Sequence, residues 1–286
     1  MTTAGDKPRQ PLESLGKSPV DVTNDYIRAI CQHALGVIET KYSKAYIDTI
    51  EKEYVLSVPG IWSEKAQNNT LMAATNAGIY PVRLVKELET AALYTIHSQK
   101  SIGLVAGDVI IDCDCDGGTA DLISYETFNI NPLELKELVP CTGDLYGSIM
   151  HNHAFEDWLL HQLGDTSISQ IKGTTDYPRG MKLFEETIKR TFVSEQDEGQ
   201  YISFPSATLG NSSSTRIKRN LFEITGADLK SILTPIVSGV CQLVFEQPSS
   251  VILCRQLQST SESTIGSKIK AVFLVGDFGT STVLLS

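Results

Sequence analysis

From Asp21 onward apolar residues recur at three- and four-residue spacing, at Tyr26, Ile27, Ile30, Ala34, Val37 and Ile38. This is the period of an amphipathic helix, with Thr23 read as its N-cap. Glu53 to Val58 reads as a short strand broken by Pro59 and Gly60. Ser63 then caps a helix carrying Ala66, Leu71, Ala73 and Ala74, which Gly78 ends. Pro81 to Val85 predicts a further strand, and Glu87 opens a helix through Ala91, Ala92 and Leu93. Strands alternating with helices predict an α/β fold, a sheet covered by helices.

The pattern changes between Val109 and Val139, where three apolar runs surround a Gly-containing turn and read as consecutive strands. Helices are expected at Ser148 to Gln162 and Asp176 to Phe192, then short strands at Tyr201 to Phe204 and Ser214 to Glu223. Ser206 to Ser214, rich in Ser, Thr, Gly and Asn, reads as an exposed loop. Thr225 with Asp228 three residues on is an acidic variant of the capping box. It opens a helix carrying Leu229, Ile232, Leu233, Ile236, Val237, Val240 and Val244. Ile269 to Val275 reads as a buried closing strand, and no internal repeat is found.

Composition narrows the function classes. With 286 residues, 41% of them hydrophobic and 20% charged, the chain has the make-up of one or two ordinary globular domains. A net charge of −10 argues against nucleic acid, whose phosphates need a basic face. The reading finds no apolar run near the roughly 18 residues of a membrane span, and the polar, Pro-punctuated first twenty residues read as a loose tail without a signal segment. No membrane partner and a cytoplasmic location are therefore expected. Six cysteines are spread thinly, and the close pair Cys113 and Cys115 lacks the second pair that structural zinc uses. They read as buried, reduced thiols.

The chemistry concentrates in Asp112 to Glu126. Two strands flank a turn with Gly117 and Gly118, followed by Thr119, and carboxylates stand at Asp114, Asp116 and Asp121. Glycines let backbone N–H groups approach a phosphate, and a carboxylate at a strand end suits Mg²⁺ as a hard oxygen ligand. A hairpin turn with surface acids gives the same pattern without any function. His151 and His153 flank Asn152 but have no third metal ligand in the sequence pattern.

This segment resembles the second phosphate-binding hairpin of the actin-like ATPase superfamily, Asp-x-Gly-Gly-Gly-Thr-x-Asp. Four further segments are similar to that superfamily in matching order: VPGIWSEKA from Val58, LVKELETAALYT from Leu84, FEETIKRTF from Phe184 and VFLVGDFGTS from Val272. The wording looks most like the divergent fungal and metazoan branch related to heat shock protein 70. The resemblance implies an actin-like ATPase (ribonuclease H-like) two-lobed fold whose first lobe is incomplete. It assigns 1–20 to a tail, 21–103 to partial lobe I, and 104–286 to lobe II. Within lobe II, 104–145 and 226–286 form the core subdomain and 146–225 an insertion.

The same resemblance implies ATP or ADP with Mg²⁺ in a cleft. Asp114, with Asp121, is then the Mg²⁺ position through water, and Gly117, Gly118 and Thr119 cradle the phosphates. Glu87 positions or deprotonates the attacking water, and Glu87 and Thr119 are the implied catalytic residues. Gly147, Glu186, Lys189, Arg190, Gly276 and Asp277 border the nucleoside. Outside the resemblance, Glu186, Lys189 and Arg190 read equally as a solvated helix face, and Glu87 as a first-turn acid favoured by the helix dipole. Chaperone partners or client proteins are implied only at family level.

The chain also departs from the family. No first phosphate hairpin, Asp-x-Gly-Thr-Thr, precedes Asp21, and the sequence stops ten residues after Gly276. Asp116, Asp144 and Asp277 stand at family glycine positions, where backbone strain and repulsion of phosphate are expected. Hydrolysis is therefore expected to be weak or lost. The alternative function is a non-catalytic fragment or pseudoenzyme acting, if at all, in protein interaction.

Overall fold

In the computed structural model, which describes residues 12, 14–205, 217–218, 221–258, 268–281 and 284, Ser18 rather than Thr23 starts the helix expected from Asp21 onward. Ser18 Oγ accepts the Asp21 N–H and Asp21 Oδ2 accepts the Ser18 N–H at 3.0 Å, a reciprocal capping box. Helix α1 thus runs Pro19–Glu39, and Thr23 lies inside it with its hydroxyl donating to the Pro19 carbonyl at 2.8 Å.

The chain divides into two units, 1–90 and 91–286. The first contains α1, α2 (Lys44–Thr49), β1 (Tyr54–Val58), α3 (Glu64–Asn76) and β2 (Val82–Lys86). β1 and β2 pair in parallel, with Tyr54 opposite Val82 and Val58 opposite Lys86. Ser63 caps α3 by accepting the Ala66 N–H. α1 packs along α3, where Arg28 donates to the Asn76 carbonyl at 3.1 Å. The core here is small, its buried hydrophobic residues being Ile47, Val58, Ala73, Ala74, Ile79 and Leu88. α4 (Glu87–Ser98) follows β2 directly, and the division at residue 90 falls within it.

The second unit holds two sheets. One has four strands in the order β5-β4-β3-β9: β3 (Val109–Cys115), β4 (Ala120–Ile130), β5 (Leu133–Asp144) and β9 (Ile269–Val275). β3, β4 and β5 are antiparallel neighbours, whereas β9 lies parallel to β3. The other is antiparallel, with β8 (Leu221–Ile224) between β6 (Gln200–Ser203) and β7 (Ile217–Lys218). Between them in sequence run α5 (Ser148–Lys172), α6 (Asp176–Leu183), a π-helical turn (Phe184–Ile188) and the short α7 (Lys189–Thr191).

Helix α8 (Gly226–Gln258) joins the cores of both sheets. Its Thr225–Asp228 capping box forms as expected, with Asp228 Oδ2 accepting the Thr225 N–H at 2.9 Å. Leu229, Ile232 and Leu233 enter a core with Phe155, Phe184, Ile202, Phe204 and Phe222, in which the Phe155 and Phe184 rings stack 4.0 Å apart. Ile236 and Val240 pack instead against Ile111, Cys113, Cys115, Ala120, Leu122 and Phe278. Each buried Leu, Ile, Val or Phe side chain among these contributes roughly 1.5–3 kcal/mol. By length and composition this helix is able to cross a membrane, a property the sequence reading missed, but these residues bury its inner side in the protein.

Two helices outrun their sequence boundaries. α5 continues past Gln162 to Lys172 across Gly164, whose φ of 75° breaks helical geometry while Ile168 and Ile171 stay in the core. α8 passes Pro235 and Pro248 and reaches Gln258, held by Val251 against Val109, Leu138 and Val139. The expected loop Ser206 to Ser214 lies outside the described residues.

Candidate functional site

The β3–β4 ladder sets Asp114 opposite Asp121 and Asp112 opposite Ile123. Because strand side chains alternate, Asp112, Asp114 and Asp121 share one face, and Cys113 and Cys115 share the other. The two thiols stand 3.5 Å apart in the sheet core.

The connecting turn closes through the Asp116 N–H, which donates to the Thr119 carbonyl at 3.1 Å. Its other carbonyls face the start of α5. Ser148 N–H donates to the Asp116 carbonyl at 3.0 Å, Ile149 N–H to that of Gly117 at 2.8 Å, and Gly147 N–H to that of Gly118 at 3.3 Å. The helix's unsatisfied first-turn donors are thereby satisfied. In a trans peptide the N–H points opposite to the carbonyl, so the amides of Gly117, Gly118 and Thr119 all point away from α5. Gly117 and Gly118 are exposed, and a β-carbon on either meets nothing within 4 Å. Among the described residues, neither of these two amides takes an acceptor.

Two glycines make this packing possible. A β-carbon at Gly147 stands 2.3 Å from the Gly118 carbonyl carbon, so the helix start touches the turn only because position 147 has no side chain. At Gly276, φ is 87° and a β-carbon lies 2.3 Å from the Cys115 carbonyl oxygen, which excludes other residues on both counts.

Carboxylates crowd beside the turn. Asp112 is fully buried, and neither of its oxygens has a hydrogen-bond partner among the described residues. Burial, then the charge of Asp114, pushes its carboxyl up to about 7. Asp121 is also raised by burial, against the lowering effect of the Thr119 hydroxyl, which donates to its Oδ2 at 3.3 Å. Carboxylate oxygens of Asp114 and Asp116 lie within 4.8 Å of each other.

Asp277 lies next to this cluster. Its backbone N–H donates to Asp116 Oδ1 at 3.3 Å, and its own carboxylate meets Arg190 at 3.5 Å. The strain expected at this family-glycine position is absent, because Asp277 has φ −66° and ψ −40°, ordinary right-handed values. Asp144 ends β5 and accepts the Leu145 N–H at 2.7 Å.

The neighbouring charges Glu186, Lys189 and Arg190 have three different surroundings. Lys189 is buried and donates to the Ser148 carbonyl and hydroxyl and to Asn152 Oδ1, at 3.2, 2.9 and 2.9 Å. Burial lowers its pKa. Arg190 is exposed and meets Asp277, whereas Glu186 lies on the solvent side beside Lys182. His151 is buried edge-on against Phe278 at 5.0 Å between ring centres, and burial followed by Lys189 brings it down to about 4.

Within the second unit, one turn thus gathers Asp114, Thr119, Asp121, Gly147, Gly276 and Asp277 around Gly117 and Gly118. Glu87 belongs to the first unit, as the first residue of α4. Sequence reasoning passed over Asp112, Ser148 and Asn152. The two-residue spacing of Asp112 and Asp114 signals a shared strand face, and the four-residue spacing of Ser148 and Asn152 signals a shared helix face.

Among known proteins, heat shock 70 kDa protein 12B of Homo sapiens is 25% identical to this chain over 189 residues, covering 63% of this chain and 27% of that protein. The chain therefore spans about a quarter of that relative's length. No family model matches it. The likeness supports a distant relationship to heat shock protein 70-like proteins.

Proposed function

We propose that the second unit is the nucleotide-holding part of a heat shock protein 70-like, actin-like ATPase domain, binding a magnesium nucleotide with hydrolysis weak or lost. The observation that carries this reading is the direction of the turn's amides. Gly117, Gly118 and Thr119 aim three N–H groups into the space opposite α5, and such a nest suits a phosphate-type anion.

Magnesium fits the donor set beside it. Asp114 and Asp121 are register partners on one face, and hard carboxylate oxygens hold this ion, commonly through water. When bound, the ion neutralises phosphate charge. The Thr119 hydroxyl fixes one Asp121 oxygen, Gly147 lets α5 back the turn, and Lys189 pins the start of that helix. Gly276, Asp277, Arg190 and, at the solvent edge, Glu186 are assigned to the nucleoside side, and Glu87 to water activation, by the family resemblance. Asp116 opposes nucleotide binding and with it turnover, since two like charges ~4 Å apart repel by about 4 kcal/mol at an effective dielectric near 20. A cytoplasmic, chaperone-related role is part of the same proposal.

Calorimetry with Mg-ADP and Mg-ATP, paired with a phosphate-release assay, tests it. Saturable binding is expected, with release near background. Gly118→Ala puts a methyl into the open space beside the turn and is expected to weaken binding at least tenfold without lowering Tm. No saturable binding of either nucleotide, by the protein or by Asp116→Gly, overturns the reading.

A further inference from the structure

We infer that Asp116 is a built-in anion that latches the phosphate turn to the Gly276–Asp277 turn and holds the site in an autoinhibited state; this rests on the nucleotide reading above. Three observations carry it. First, Asp116 is fixed at both ends of its own peptide units: its N–H donates to the Thr119 carbonyl and its carbonyl accepts from Ser148. Its side chain is thus presented from a rigid base beside the outward amides of Gly117 and Gly118. Second, Asp116 Oδ1 accepts the Asp277 N–H at 3.3 Å, across a separation of 161 residues. A carboxylate oxygen here takes a backbone donor of the kind that recognises phosphate oxygens. Third, the partner turn is confined by its backbone, because Gly276 packs on the Cys115 carbonyl with no room for a side chain.

The surrounding charge gives the latch a direction. Asp114, Asp116, Asp121 and Asp277 are acids grouped around these two turns, while Lys189 is committed to Ser148 and Asn152. An entering phosphate must displace Asp116 from the Asp277 amide and then lie beside the displaced carboxylate. A ligand with fewer phosphates meets less of this penalty, so the latch selects against the triphosphate most strongly, then the diphosphate, then the monophosphate.

Two substitutions separate the contact from the charge. Asp116→Asn keeps an acceptor oxygen and removes the charge; Asp116→Gly removes both. Amide exchange at Asp277, followed by NMR without nucleotide, is expected to be slow in the wild type and in Asp116→Asn and at least tenfold faster in Asp116→Gly. Mg-ATP affinity is expected to rise in the order wild type, Asp116→Asn, Asp116→Gly, by roughly 10- to 1,000-fold overall, with a smaller gain for AMP. Unchanged exchange at Asp277 in Asp116→Gly overturns the latch whatever the nucleotide does. Accelerated exchange with no nucleotide bound by any of the three overturns the nucleotide reading while the contact between turns stands. If Asp116→Gly does not fold, Asp116→Asn still decides: equal Mg-ATP affinity to the wild type overturns the charge selection.

Discussion

Gly147 and Gly118 touch backbone to backbone, so closely that a β-carbon on Gly147 lies 2.3 Å from the Gly118 carbonyl carbon. This contact turns the phosphate-type turn outward, because three carbonyls of the turn are drawn to the first amides of α5. Gly147→Ala must push helix and turn apart and loosen hydrogen bonds at Gly147, Ser148 and Ile149. The expected loss is roughly 2–4 kcal/mol, from overpacking together with hydrogen bonds worth about 1 kcal/mol each. Gly118→Ala, facing open space at an ordinary φ, is expected within about 0.5 kcal/mol of wild type. Urea unfolding of both variants checks this, and equal losses contradict it.

Asp112 is a costly carboxylate, fully buried with both oxygens unpartnered among the described residues. Replacing an unpaired buried polar group with an apolar one of similar size relieves its desolvation. Asp112→Val is expected to stabilise the protein by about 2–4 kcal/mol at pH 7, measured as a higher urea midpoint at unchanged m-value. A lower midpoint contradicts this account of Asp112.

These contrasts show what was legible in sequence. The strand Ile269–Val275, the Ser63 and Thr225 caps and the β3–β4 hairpin follow from local periodicity and capping chemistry, although the strand read as buried is largely half-buried or exposed, with Phe273 its one buried residue. Helix ends were less legible, because tertiary burial of Ile171 and Val251 carries α5 past Gly164 and α8 past Pro248. At the site, the Gly–Gly turn and its acids were readable. That the turn's carbonyls face α5 was not, since it depends on Gly147 reaching a turn 29 residues earlier. Strain at Asp277 was misjudged because identity at a glycine position does not fix φ, and here φ is −66°.

Asp112 and His151 impose opposite pH slopes. The Asp112 carboxyl stands at about 7 in the folded protein against 3.8 in the unfolded chain, so the folded state holds the extra proton and stability is lost as pH rises between them, by about 4 kcal/mol. His151 stands at about 4 against 6.5, so the unfolded chain holds the extra proton and stability is lost as pH falls from 6.5 towards 4, by about 3 kcal/mol. The two slopes nearly cancel between pH 4 and 6.5. Asp112→Asn is therefore expected to gain stability as pH rises through this window, and His151→Leu to lose it. Thermal melts across the window check both signs, and parallel curves for the two variants contradict them.

Lys189 and Arg190 are sequence neighbours with opposite energetic weight. Lys189 is 6% exposed and donates hydrogen bonds to Ser148 and Asn152 at the head of α5. Lys189→Met leaves those acceptors without their buried donor, at an expected loss of roughly 1–3 kcal/mol. Arg190 meets Asp277 in solvent at 3.5 Å, where a single ion pair contributes about 0–1 kcal/mol. Arg190→Met is thus expected to leave the urea midpoint nearly unchanged and to weaken only the salt dependence of nucleotide binding. If Lys189 instead faced a ligand, Lys189→Met would keep its stability and lose affinity alone, so midpoint and affinity measured on the same sample separate anchor from ligand.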